Sequence, residues 1–129
     1  MFVSCYVHSI QVVASQRDTA WHTWTIPLGF PVMGIWPEGA DGTDINHVDR
    51  SKSGKYLVTA GDDGFVSLFA HPSVIEEAAC RSYRGHSAHV MATSFNATDT
   101  HVVSAGGRDR CLFQFRLEHV KQVRRTLIQ

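Results

Sequence analysis

A chain of 129 residues has the length of one ordinary domain. Hydrophobic residues make up 43% of it and charged residues 19%, a balance typical of a soluble globular protein. Lys and Arg number 12, as do Asp and Glu, so the chain lacks the basic excess of a dedicated nucleic-acid binder. The cysteines Cys5, Cys80 and Cys111 are widely spaced and form no CxxC pair, which favours reduced thiols over a disulfide framework.

Charge and hydropathy vary along the chain. Residues 1–64 carry 4 basic and 7 acidic groups, whereas residues 65–129 carry 8 and 5. The second half therefore either favours an acidic partner or presents an ordinary solvated surface. The N-terminus does not have the pattern of a signal peptide. The longest apolar stretch, residues 26–37, is broken by prolines and glycines and falls short of the about 20 residues that span a bilayer, so no membrane contact is expected.

Strand patterns dominate the chain. Short runs rich in Val, Ile, Phe and Tyr, bounded by Gly, Asp, Asn and Ser, are predicted as strands at residues 2–14, 56–60, 65–70, 90–95, 101–105 and 111–117. A first helix is predicted at residues 73–80, because Ser73 can cap it and Glu76 follows three residues later. A second is predicted in the tail, where Val120, Val123 and Leu127 follow helical spacing. Many short strands and few helices indicate an all-β fold.

Two segments of the chain repeat each other. The run from Lys55 to Asp63 resembles the run from His101 to Asp109, and each final aspartate is followed six residues later by a phenylalanine. The two aspartates lie 46 positions apart. A period of about 40–50 residues with several short strands in each copy is typical of β-propeller blades.

Each copy has the layout of a WD repeat. The second copy begins with a Gly-His pair that ends in His86. In such a blade the turn aspartate accepts hydrogen bonds from its own turn and from the histidine, which satisfies buried polar groups. The repeat is degenerate, since Phe69 and Phe115 stand where Trp is usual and only the second copy keeps the histidine. We therefore predict a structural pair of His86 with Asp109, and the equivalent turn position for Asp63.

These observations predict an all-β fold made of WD-repeat β-propeller blades, about two and a half of them in an incomplete ring. We divide the chain into a partial blade with an apolar connecting segment at 1–44, a blade at 45–84, a last blade at 85–117 and a basic tail at 118–129. The alternative is another antiparallel β-sandwich or barrel. Because the smallest ring needs about four blades, we expect the chain to be part of a longer chain or a larger assembly.

The stretch from Trp21 to Asn46 reads WHTWTIPLGFPVMGIWPEGADGTDIN and resembles the echinoderm microtubule-associated protein-like family. That family carries W-x-T-x-T-x-x-L-G-F-x-V-x-G-I-W-P-E-G-x-D-G-T-D-I-N in the second propeller of its tandem atypical propeller region. The resemblance continues through both repeat turns and covers roughly residues 11–117. The chain departs from the family where the turn after Gly61 is one residue shorter and where Phe115 replaces a Trp. The family's coiled coil, hydrophobic signature motif and first propeller are not in this sequence.

The resemblance implies a non-catalytic, microtubule-associated scaffold. Its partners would be tubulin or microtubules and other axonemal or cytoskeletal proteins, with no nucleic acid, no membrane and no cofactor. Its place would be the cytoplasm and cytoskeleton, including the axoneme of a cilium or flagellum. The alternative function is a general protein–protein interaction propeller unrelated to microtubules.

A metal-dependent or hydrolytic domain is a further alternative from another class. His86, His89 and His101 could suggest a metal site, but no Cys or carboxylate completes a close ligand set, and a structural histidine explains His86 better. Ser104, His86 and Asp109 could be imagined as a catalytic triad, but the sequence has no nucleophile elbow. We therefore expect no catalytic residues, no metal ligands and no bound cofactor.

Two sets of residues are candidates for partner binding. The apolar segment at residues 26–37 either fills the core between blades or exposes a contact surface, in which case Phe30, Met33 and Trp36 are the candidates. Basic residues of the second half could contact acidic tubulin tails, and the candidates among them are Arg108, Arg110, Arg124 and Arg125.

Overall fold

The computed structural model describes residues 29–118, together with His22 and Pro27. In this part of the chain a 3-10 helix, Phe30–Ile35, is followed by seven strands. The strands are β1 (Ile45–Arg50), β2 (Tyr56–Gly61), β3 (Phe65–Ala70), β4 (Cys80–Arg84), β5 (Val90–Phe95), β6 (His101–Gly106) and β7 (Leu112–Arg116).

The strands form two antiparallel sheets. The first sheet has the order β1-β2-β3-β4 and the second has the order β5-β6-β7. Neighbours in sequence are neighbours in space, because short turns that contain Gly or Asp reverse the chain at each connection within a sheet except that between β3 and β4, which is a longer loop. The prediction of an all-β fold is thus confirmed.

The two sheets are built alike, as the sequence repeat predicts. Thr59 of β2 pairs with Val48 of β1, and Ser104 of β6 pairs with Thr93 of β5, at equivalent positions. The first strand of each sheet also has a register shift near its start, after Ile45 in β1 and after Val90 in β5. Because the same irregularity occurs at the same position in both sheets, matching residues of the two copies occupy equivalent positions in their sheets.

The main hydrophobic core lies between the sheets. Alternate residues of a strand point to opposite faces, so one face of β2 and β3 supplies Val58, Ala60 and Val66 to this core. The second sheet contributes Val90 and Val102, which are buried against these three residues. Half-buried Phe95, Phe115 and Leu117 close the cluster.

The opposite face of the first sheet packs against the apolar segment. Val32 and Ile35 of the 3-10 helix are buried against Leu57 and Phe69. Half-buried Trp36, Ile45, Val48 and Ala78 surround this second cluster. The first sheet is therefore a layer between the 3-10 helix and the second sheet.

The predicted helix at residues 73–80 is wrong. This stretch is an irregular loop, and its last residue, Cys80, begins β4. Its backbone groups bond across to the 3-10 helix instead of within a helical turn: the Gly34 N–H donates to the Ser73 carbonyl at 2.8 Å, and the Ala78 N–H donates to the Gly34 carbonyl at 3.2 Å. Tertiary pairing has overridden the local capping pattern.

Some expectations lie outside the described residues. They are the strand at 2–14, the helix in the tail, the candidates Arg124 and Arg125, and most of the partial blade that precedes the 3-10 helix. Within the described residues, no helix has the length and apolar character needed to cross a membrane.

Candidate functional site

A buried histidine joins three segments of the second sheet. The carboxylate of Asp109 accepts a hydrogen bond from Nδ1 of His86 at 2.7 Å, and Nε2 of His86 is hydrogen-bonded to the Ser104 hydroxyl at 2.8 Å. The side chain of His86 is 0% exposed and that of Asp109 is 5% exposed. The Phe113 ring stands edge-on to the imidazole at 4.7 Å between ring centroids.

Local structure explains how these side chains meet. His86 lies in the loop between β4 and β5, Ser104 lies on the core-facing side of β6, and Asp109 lies in the β6–β7 turn. Gly106 leaves the necessary room, because a Cβ there would collide with both the Asp109 carboxylate and the imidazole. The turn holds Asp109 in place through the Cys111 N–H, which donates to it at 3.1 Å.

The sequence predicted a pair, and the structure contains a network of three. The sequence grouped Ser104 with His86 and Asp109 only as an imagined catalytic triad, and Ser104 was missed as a structural partner because the position where Ser or Thr is usual was assigned to the next residue, Ala105. A signal was present: Ser104 and Thr59 both stand two residues before the glycine that ends the strand, and both are small hydroxyl side chains.

The network keeps Asp109 charged. Burial raises the pKa of the Asp109 carboxyl, but hydrogen bonds from the Cys111 backbone, His86 and the Ser87 backbone outweigh it and hold the pKa below its usual value. A charged carboxylate then fixes the orientation of the imidazole, because it accepts the proton of Nδ1.

Serine, histidine and aspartate are the residue types of a hydrolytic triad, but here the serine and the histidine are not accessible to a substrate. Ser104 is 1% exposed and His86 is 3% exposed, so neither presents an atom to a substrate. A nucleophile must reach the reacting carbon, and here the hydroxyl lies against the core. The hydrogen bond between His86 and Asp109 joins the loop before the second sheet to the β6–β7 turn, which is a structural role.

The histidines considered for metal binding do not converge. His86 bonds to Asp109 and Ser104, His89 lies 3.0 Å from Asp62, and Nδ1 of His101 bonds within its own turn to Thr100. Among the described residues no group of three or more His, Cys, Asp or Glu side chains has the arrangement of a metal site.

Asp63 occupies the turn position of Asp109 without a histidine. Its carboxylate accepts a hydrogen bond from the Phe65 N–H at 2.9 Å, as Asp109 does from Cys111. Asp63 is exposed, whereas Asp109 is largely covered by its network. The difference follows from the missing imidazole.

The apolar candidates divide between core and surface. Met33 is 54% exposed, whereas Phe30 and Trp36 are half-buried and Trp36 packs against the second core cluster. Only Met33 of the three presents most of its side chain to solvent. The segment as a whole fills the core on one face of the first sheet.

The basic candidates within the described residues belong to the second sheet and not to the apolar segment. Arg108 and Arg110 are exposed in the β6–β7 turn of the second sheet. The second sheet packs on one face of the first sheet and the 3-10 helix packs on the other, so the fold does not bring Arg108 and Met33 into one patch.

Comparison with known proteins places the chain in a family. Residues 3–117 match the family described as the echinoderm microtubule-associated protein second beta-propeller. The chain is 48% identical over 107 residues to the 77 kDa echinoderm microtubule-associated protein of Lytechinus variegatus, covering 81% of this chain and 16% of that protein. It is 46% identical over 105 residues to echinoderm microtubule-associated protein-like 1 of Homo sapiens, covering 81% of this chain and 13% of that protein.

The chain thus spans less than a fifth of the length of these relatives, and the match falls on their second propeller. The two packed antiparallel sheets, their shared register and the buried His86 network are the local structure expected of propeller blades. The chain belongs to the family of the echinoderm microtubule-associated protein second beta-propeller.

Proposed function

We propose that this chain is part of a non-catalytic, microtubule-associated propeller scaffold that binds tubulin through exposed blade surfaces. The observation that carries the proposal is the match over residues 3–117 to a propeller of microtubule-associated proteins. On this proposal residues 45–84 and 85–117 are consecutive blades. The scaffold works in the cytoplasmic cytoskeleton, with other cytoskeletal proteins, including those of a ciliary axoneme, as further partners.

The basic turn of the second sheet is the proposed contact with acidic tubulin tails. Arg108 and Arg110 are exposed two positions apart, and Arg124 and Arg125 add charge in the tail. Attraction of this kind is weakened by salt, since the screening length falls to about 8 Å at physiological ionic strength. The apolar candidates Phe30, Met33 and Trp36 are the second proposed surface, with Met33 as its most exposed member.

Co-sedimentation with microtubules tests the proposal. The 129-residue chain should pellet with microtubules, and added salt should release it. Reversal of charge in Arg108→Glu with Arg110→Glu, or in Arg124→Glu with Arg125→Glu, should weaken binding, whereas Arg81→Glu on β4 is the matched control that should not. A chain that stays in the supernatant at low salt contradicts the proposal. Binding that survives all charge reversals but is lost in Met33→Glu moves the contact to the apolar surface.

A further inference from the structure

The second sheet has one strand fewer than its copy. The first sheet has the order β1-β2-β3-β4, whereas the described part of the second sheet ends at β7. Strand β7 corresponds to β3, because Phe115 lies 46 residues after Phe69, which is the repeat interval of the chain. Within the described residues, the edge of β7 that corresponds to the β4 side of β3 is therefore unpaired. Such an edge offers a row of backbone donors and acceptors to another strand.

One hydrogen bond shows which amide groups of β7 face that edge. The Leu117 N–H donates to the Thr100 carbonyl at 2.9 Å, on the side of β6. Successive residues of a strand direct their backbone groups to opposite sides, so the Phe115 N–H also faces β6. The N–H groups of Leu112 and Gln114 face the unpaired edge for the same reason.

A groove of about 710 Å³ runs along this edge. Residues 114–118 line one side of it, and Leu68, Arg81 and Tyr83 of the first sheet are among the residues that line the rest. Because the side chains of a strand alternate between its two faces, consecutive residues border one groove only where the groove follows the edge of the strand. The groove therefore lies where a fourth strand of the second sheet would lie.

The sequence repeat indicates which residues would form that strand. In the first sheet, β4 begins at Cys80, ten residues after Ala70 ends β3. The same distance from Arg116, which ends β7, leads to Thr126. Residues 126–129 read Thr-Leu-Ile-Gln, in which Thr and Ile are β-branched and favoured in strands. These residues have both the position and the composition of a counterpart to β4.

A helix is the alternative prediction for the tail, from the spacing of Val120, Val123 and Leu127. The first copy carries a comparable signal at residues 73–80, which nevertheless form an irregular loop that leads into β4. There the pairing of β4 with β3 overrides the local pattern. The unpaired edge of β7 offers the tail the same kind of pairing, which favours a strand over a helix.

We propose that residues 126–129, which lie outside the described residues, occupy the groove and pair with β7 as the fourth, antiparallel strand of the second sheet. With the register that joins β3 to β4, Leu127 pairs with Gln114. Because the backbone groups of Gln114 face the edge, the two residues exchange hydrogen bonds, and the N–H of Ile128 points away from β7. The tail then completes the blade that the repeat predicts.

Amide hydrogen exchange in the isotopically labelled 129-residue chain, followed by NMR, tests the pairing. The amides of Leu112 and Gln114 should exchange slowly. The Phe115 amide is the reference within the same strand, because it faces β6 and should be protected with or without the tail. Removal of residues 126–129 should speed the exchange of Leu112 and Gln114 at least about tenfold, since each loses a hydrogen bond, and should leave Phe115 protected.

Two proline variants form a matched pair. Leu127→Pro removes the N–H that faces β7, so it should speed the exchange of Leu112 and Gln114 as the removal of residues 126–129 does. Ile128→Pro removes an N–H that points away from the sheet, where an edge strand tolerates proline, so protection should remain. A helix would be disturbed by proline at either position.

Several results would overturn the proposal. Rapid exchange of Leu112 and Gln114 beside a protected Phe115 would show that the edge of β7 is bare. Protection that survives the removal of residues 126–129 would show that another segment or a second copy of the chain pairs there. Equal effects of the two proline variants, or NMR contacts between Val123 and Leu127 typical of a helical turn, would show that the tail does not add to the sheet as a strand.

Discussion

The carboxylate of Asp49 on β1 joins the two sheets by accepting a hydrogen bond from the Phe95 N–H of β5 at 2.8 Å. A second carboxylate makes the reverse connection. Asp99, in the turn between β5 and β6, accepts hydrogen bonds from the N–H groups of Lys52 and Ser53 at 2.8 and 2.7 Å. Each sheet therefore accepts hydrogen bonds from backbone N–H groups of the other. The interface between the two sheets is polar at this end and apolar in its core.

Removal of the Asp49 carboxylate should destabilise this interface between the sheets. Asp49 is half-buried and also accepts a hydrogen bond from the Ser94 hydroxyl at 2.8 Å. We expect Asp49→Ala to lower the free energy of unfolding by about 1–3 kcal/mol, because hydrogen bonds to a charged group are lost and the Phe95 N–H is left without its partner. Chemical denaturation measures this. Glu118→Ala is the control, since its exposed pair with Arg116 at 3.6 Å should contribute no more than about 0.5 kcal/mol. Equal effects of the two variants would contradict the role given to Asp49.

Stability should depend on pH through Asp99. Burial raises the pKa of the Asp99 carboxyl, but hydrogen bonds from Ser53 and Lys52 outweigh it and hold the pKa below its usual value of 3.8. A lowered folded pKa gives stability that is present above the unfolded pKa and is lost as the pH falls through the folded one. The wild type should therefore lose more stability than Asp99→Asn between about pH 5 and pH 3. Parallel pH profiles of melting temperature would show that Asp99 is not linked to folding in this way.

The sequence predicted the strands that carry apolar runs and missed one that does not. The strands β2, β3, β5 and β6 were predicted within one residue, because apolar runs bounded by turn residues recur at a fixed period. β4 was missed, since its five residues Cys-Arg-Ser-Tyr-Arg are all exposed and carry no alternation of apolar and polar side chains. Its position depends on pairing with β3, which no local pattern records.

Local sequence signals predicted only part of the network around His86. The Asp109 turn and the preceding Gly-His pair are local signals, and they led to two of its members. Ser104 needed the strand register that sets it opposite Thr93 and turns it toward the imidazole. The surface roles of Met33 and Arg108 could be named from residue type alone, but that they lie on different layers follows only from the packing.

Loss of the imidazole should destabilise the second sheet. His86 is fully buried as a side chain and joins Asp109 to Ser104, so His86→Ala should lower the free energy of unfolding by about 2–4 kcal/mol. His89→Ala is the matched control, because that side chain is 63% exposed and should contribute no more than about 0.5 kcal/mol. Gly106→Ala should separate Asp109 from His86 without removing either, since its Cβ needs the space they occupy. A Gly106→Ala protein with unchanged stability and unchanged His86 NMR signals would contradict this account of the network.

Two valines at equivalent repeat positions give the final prediction. Val58 of β2 is 1% exposed in the core between the sheets, whereas Val103 of β6 is 42% exposed on the face of the second sheet that points away from the first. Val58→Ala removes two buried methyl groups and should lower the free energy of unfolding by about 2 kcal/mol, from lost burial and from the cavity that remains. Val103→Ala removes the same atoms from a surface and should cost less than about 0.5 kcal/mol. Denaturant unfolding of both variants measures the difference. A large effect at Val103 would mean that its face is covered in solution, and it would contradict the exposure found for this face of the second sheet.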